Sequence, residues 1–254
     1  MRTPGSHSLW SRFWPLYLFS LTGLWPLEDL LRNQLSRMEL PVEFAGSGEL
    51  LVMAGLAQTA ALLLLASLIG ALWAHRLGMV SILAHRQGVR RFQAELPLAL
   101  GLGSVLGIAI VVLDHGLFMP LSPGVTSATG QASGGLGQPL LLGLFYGGIS
   151  EEVMMRWGLM TLICWTGFRL LGGGQDKLPE WIAWAGILIS AVAFALGHLP
   201  AAMQAGLLDS PFLYRILLLN TLAGIVFGWL YWRRSIESAC VAHAVVHLCF
   251  HALA

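Results

Sequence analysis

Seven apolar runs set the terms for this chain of 254 residues, at about 13–31, 49–74, 96–119, 139–168, 180–199, 211–232 and 236–254. A hydrocarbon layer about 30 Å thick takes about 20 residues of helix to cross, and the runs are of that order. Lipid offers no water to a free N–H or C=O, so each run must close its hydrogen bonds within itself, as a helix. The sequence therefore predicts an all-α fold, a polytopic membrane bundle of about seven transmembrane helices forming one domain over residues 1–254. Composition allows little else: 56% of residues are hydrophobic and 11% charged, against about 25% charged in a soluble domain.

Charge placement predicts an orientation. With the N-terminus in the cytoplasm, the inner segments carry Arg2, Arg12, Arg76, Arg86, Arg90, Arg91, Arg169, Lys177, Arg233 and Arg234, whereas the outer ones carry Arg32 and Arg37. Ten against two follows the positive-inside rule. Trp10, Trp14, Trp181, Trp184, Tyr231 and Trp232 lie near run ends, where an aromatic belt is expected. The Gly/Ser/Pro-rich stretch 120–138 reads as a loop. Cys164, Cys240 and Cys249 show neither a CxxC nor a metal spacing and read as packing residues. A net charge of +1, without a basic cluster interleaved with aromatics outside the helix-flanking loops, says nothing in favour of nucleic acid, and no nucleic-acid partner is expected. The N-terminal run carries Pro15 and Pro26 and lacks a small-x-small cleavage site, unlike a cleaved signal peptide.

Against this background, Ser150-Glu151-Glu152-Val153-Met154-Met155-Arg156 stands out. A charged side chain at the centre of a membrane helix costs about 2.5–3.5 kcal/mol on insertion scales, and this stretch places three in one apolar run. Glu152 and Arg156, four residues apart, can pair. Glu151, about 100° round an α-helix, has no local partner, and a carboxyl in a low-dielectric site is suited to proton transfer. His198 follows Phe194 late in the fifth run, and His243, His247 and His251 make a stripe along the seventh. Counting about 1.5 Å per residue puts Glu151 and His247 near mid-membrane and His198 near the outer surface, unless its helix bends at Pro200. Asp114-His115 reads as a snorkelling interface pair, Asn220 and Gln58 as interhelical hydrogen-bonding groups, and Gly143, Gly147 and Gly148 as sites of close helix packing.

Three motifs occur in order: Glu151-Glu152-x-x-x-Arg156, Phe194-x-x-x-His198 and His243-x-x-x-His247. Together they resemble the CPBP family of intramembrane proteases, the CAAX-protease and bacteriocin-processing group, whose pattern is EExxxR, FxxxH and HxxxN or HxxxD. The resemblance covers about residues 139–251, which it marks as the catalytic core. It implies a multi-pass protein of the bacterial inner membrane that hydrolyses a peptide bond near the end of a membrane-delivered protein or peptide. It also implies roles: Glu151 and His198 would activate a water, Glu152 and Arg156 would hold the site in shape, and His243 with the residue four on would stabilise the oxyanion.

The chemistry agrees with those roles. Amide hydrolysis needs a base for water, a donor to the developing oxyanion and an acid for the leaving amine. The departure is His247, which stands where the family has Asn or Asp. A neutral imidazole offers one N–H and must hold the right tautomer, although His243 and His247 could together present two donors to one oxygen. The resemblance implies no cofactor, but Glu151, His198, His243 and His247 are also four N/O donors of the kind that hold zinc, so a metal-dependent version is the alternative. A proton-coupled carrier and a non-catalytic bacteriocin-immunity protein are further readings of buried Glu and His. The sequence leaves substrate and oligomeric state open.

Overall fold

The computed structural model describes residues 8–37, 46–121, 137–172, 176–204 and 210–253, and no strand occurs among them. The loop expected over 120–138 lies largely outside them. Five helices are long and apolar enough to cross a membrane: α3 (Gly48–Leu77), α4 (Val89–Leu121, with a π-type segment at Asp114–Phe118), α6 (Glu180–Gly197), α8 (Pro211–Arg233) and α9 (Ile236–Leu253). The other two expected runs are helical but broken in their hydrogen bonding. The first divides into α1 (Leu9–Ser20) and α2 (Leu24–Arg37) around a 3₁₀ turn at Leu21–Gly23.

The other is α5, helical over 137–171, with i→i+5 hydrogen bonding at Leu142–Glu151 and again at Val153–Met160. This wide, π-type winding is rare and usually brief. It changes which residues share a face. In an α-helix, positions four apart drift about 40° round the axis at each step, and the wider turn cancels much of that drift. Pro139, Gly143, Gly147, Glu151 and Met155, each four residues from the last, accordingly all line one cavity.

Close helix approach depends on small residues, as expected without a hydrophobic force between lipid-bathed helices. A Cβ on Gly224 of α8 would lie 2.8 Å from the Ala191 Cα of α6, and one on Gly103 of α4 would lie 2.8 Å from the Ala242 carbonyl oxygen of α9. The core at the arginine-rich end is filled by Trp157, Met160, Ile187, Phe227, Leu230 and Tyr231, all fully buried. Tyr231 thus does not belong to the aromatic belt; its hydroxyl lies 2.8 Å from Thr161 Oγ1, which meets the hydrogen-bonding need of a buried phenol. Trp10, Trp14, Trp181 and Trp184 are exposed as a belt requires, and Cys164 and Cys240 are buried packing residues.

At the same end the connection after α3 is folded down by Glu237, at the start of α9. Its carboxylate accepts from Ser81 Oγ at 2.6 Å, from the Ile82 amide at 2.8 Å and from the Leu83 amide at 3.0 Å. Beside it Glu95 accepts from Ser235 and Ser238 hydroxyls and from Arg91. Removing the Glu237 acceptor leaves three donors unpaired in a buried site, and each costs about 1–3 kcal/mol. Glu237→Ala should therefore lower unfolding stability by about 3 kcal/mol or more, with Glu237→Gln intermediate, read from thermal unfolding in detergent.

Candidate active site

In the other half of the bundle, away from the arginine-rich loops, lies a cavity of about 780 Å³. Its wall is mostly apolar, with Glu151, His198, His243 and His247 facing it together with Tyr146, Asn220 and Arg215. All four proposed reacting side chains, from α5, the end of α6 and α9, thus border one space. The apparent depth mismatch of His198 disappears, because α6 ends at Gly197 and a short helix, α7 (Leu199–Gln204), begins at once. The cavity reaches from that level down to the His243 level. The chain thus bends at His198, two residues before Pro200, where the sequence placed the bend, and continues as helix beyond it.

Beneath the cavity sits the second half of the first motif. Glu152 and Arg156 are both fully buried. Arg156 Nη1 lies 3.2 Å from Glu152 Oε1, and Arg156 Nη2 donates to the Gly224 carbonyl at 3.3 Å. The guanidinium also stands over the rings of Phe194 and Phe227, at 4.7 and 5.5 Å from their centroids, an arrangement that stabilises a desolvated cation. Phe194 therefore shapes the site by holding Arg156. The sequence pairs Glu152 with Arg156 alone, but His243 Nδ1 also lies 2.8 Å from Glu152 Oε1. Breaking a buried pair by removing one partner costs about 3–5 kcal/mol, so this cluster fixes α5 against α8 and α9.

Hydrogen bonds select the histidine tautomers. A backbone carbonyl can only accept, so His198 Nδ1, 2.8 Å from the Phe194 oxygen, carries the proton and a neutral His198 is left with a lone pair on Nε2. His243 is set in the same way: its Nδ1–H donates to Glu152 Oε1, and its Nε2 is then an acceptor. His247 Nε2 lies 3.2 Å from that atom and donates to it. The two rings stack at 5.0 Å, and His243 stacks on Phe227 at 4.5 Å. The sequence reading gave each ring an N–H for one oxygen; this network leaves a single proton between their Nε2 atoms. The Glu151 side chain makes no hydrogen bond among the described residues and is half-buried.

The glycines beside the Glu pair do more than let helices touch. A Cβ on Gly143 would lie 2.5 Å from the His247 ring, and one on Gly147 would lie 2.8 Å from His247 Nε2. Both positions are vacated for that imidazole, and only Gly148 packs against α9 itself, near Ala244. Asn220 is not an interhelical group either; its amide nitrogen donates to Ile216 O of its own helix at 2.9 Å.

Asp114 was misjudged as well, and Arg215 was missed. Asp114 is fully buried and not a snorkelling residue: Arg215 of α8 grips it through Nε to Oδ1 and through Nη2 to Oδ2 at 2.8 Å. An arginine inside an otherwise apolar run was the signal for Arg215, and its pairing explains how Asp114 tolerates burial. His251 is exposed, as expected for a residue at the membrane surface. Among the described residues no group of three or more His, Cys, Asp or Glu is arranged to hold a metal ion.

Comparison with known families points the same way as the motifs. Residues 136–249 match the family model described as Type II CAAX prenyl endopeptidase Rce1-like, so the resemblance carried by the three motifs holds across this segment. Five apolar helices together with that match support a multi-pass integral membrane protein of the intramembrane endopeptidase class. No curated protein and no solved structure matches the chain.

If Gly143 is vacated for His247, Gly143→Ala must displace the ring or strain α5 against α9. Overpacking of this kind costs about 1–3 kcal/mol, and the melting temperature should fall accordingly. Gly116→Ala, where an added Cβ meets nothing within 4 Å, should leave it unchanged.

Proposed function

We propose that the protein is a glutamate-dependent intramembrane endopeptidase acting on a membrane-delivered protein or peptide. The observation that carries this reading is that Glu151 and the acceptor-bearing ring of His198 border the same cavity as the His243–His247 pair. A water there has two protons to give. One can go toward the Glu151 carboxylate and one toward His198 Nε2, which leaves its lone pairs for a peptide carbonyl. Glu151 takes the proton as the water attacks, and the protonated carboxyl or His198 then returns one to the leaving amine.

The developing oxyanion meets His247. Its Nε2–H, shared with His243 in the resting network, can turn to the new negative charge, which is the stronger acceptor. Glu152 and Arg156 act at one remove: the carboxylate keeps His243 in its Nδ1–H form, so that Nε2 receives and steadies His247. This scheme uses four side chains of the chain and no metal. The apolar wall excludes bulk water and strengthens each of these interactions.

Glu151→Gln should abolish cleavage, leaving less than about one part in a thousand of wild-type kcat/KM, while melting temperature stays close to wild type; full activity in that variant would remove the reading. Losing one oxyanion donor costs about 10²–10³ in kcat, so His247→Ala should fall by that much, whereas His247→Asn, which supplies a fixed N–H, should keep most of the activity. Elemental analysis separates the metal-dependent version: near-stoichiometric zinc in the wild type that is lost from His247→Asn, with activity lost to chelators, would make Glu151 a ligand.

A further inference from the structure

We propose that Arg215, aimed by Asp114, is a recognition site for the terminal carboxylate of a peptide held in the cavity; this rests on the endopeptidase reading above. Arg215 is the one Lys or Arg among the residues lining the cavity, since Arg156 is buried beneath it. Asp114 is fully buried where α4 winds into a π-type turn, and it engages Nε and Nη2 together. A two-point grip fixes the guanidinium plane, and Phe212 supports it, with the guanidinium carbon 5.1 Å from the ring centroid. Among the described residues none accepts from Nη1, and the side chain is 20% exposed. Three N–H groups, two on Nη1 and one on Nη2, are therefore left without an acceptor among the described residues, in a mostly apolar wall, and are available to a ligand.

Position makes that ligand a peptide end. Helices α6 and α8 are antiparallel, with Gly224 against Ala191 and Gly228 against Ile187. Carried outward to the end of α6, the same register sets Gly197 opposite Leu218, and Arg215 lies three residues further along α8, about 4.5 Å beyond that level at 1.5 Å per residue. A substrate whose scissile carbonyl lies between Glu151 and His198 reaches that level within a few extended residues, each about 3.3–3.6 Å long. The carboxylate at the end of such a segment is planar and matches an Arg edge. It is also recognised only as a free terminus, so the site would position cleavage at a set distance from the chain end.

The alternative for the same two residues is a purely structural strut between α4 and α8, and a variant that merely unfolds would not separate them. The test therefore uses Glu151→Gln protein in detergent, immobilised, with a pool of single-span peptides randomised over their last six residues and made twice, as free acids and as carboxamides. Retention of the acids at least tenfold over the amides is expected, with the preference falling to about one in a folded Asp114→Asn/Arg215→Gln double variant, which removes both charges and leaves no buried carboxylate unpaired. Equal retention of acids and amides by the Glu151→Gln protein overturns the proposal, as does a preference that survives in the double variant. So does native mass spectrometry showing Arg215-dependent retention of an anionic phospholipid in place of peptide. Wild-type protein that binds acids selectively and cleaves none of them would instead retire the endopeptidase reading and leave the carboxylate site standing.

Discussion

The buried contact between Glu152, Arg156 and His243 governs the rest of this structure. A carboxylate and a guanidinium with no exposure to solvent are sustainable only if each finds partners inside, and they find them on four helices: the ion pair within α5, a carbonyl and a ring from α8, a ring from α6 and an imidazole from α9. The cluster is therefore a knot tying together the elements that carry the polar face of the cavity. Because Glu152 holds a proton on His243 Nδ1, an interaction that secures the fold also sets the proton arrangement one layer above it. Structure and chemistry cannot be varied independently here.

Much of the site was legible because the membrane makes ionisable residues conspicuous. Glu151, His198, His243 and His247 stood out as charges and imidazoles in runs that lipid would otherwise leave apolar, and spacing alone joined Glu152 to Arg156. The existence of the helices was equally plain. What could not be read were features set by tertiary placement. Tyr231 sits near a run end and looks like a belt residue, yet it turns inward to Thr161 because α8 presents that face to α5. Asp114 was read with its neighbour His115, but its partner is 101 residues away on another helix. The wide winding of α5 leaves no signature in an apolar pattern that assumes 3.6 residues per turn.

His247 shows how one departure from a family pattern is absorbed. An imidazole is bulkier than an asparagine amide and needs a defined tautomer, and both requirements are met nearby. Gly143 and Gly147 vacate the space, and His243, itself set by Glu152, offers the acceptor that orients the ring. The position is supported by its surroundings and is not a tolerated replacement.

The cavity occupies one half of the bundle, and the other is closed by Trp157, Met160, Leu230 and Tyr231 without exposure. This asymmetry concerns more than access. A carboxylate and three imidazoles bordering one cavity are half of a proton wire, and a continuous polar path across a bilayer would let the transmembrane potential drive current through it. The tightly packed aromatic half is the insulation. For the proposed endopeptidase it would let the membrane hold a hydrolytic site without short-circuiting its own ion gradient, and it would confine that site to chains presented from one face of the bilayer.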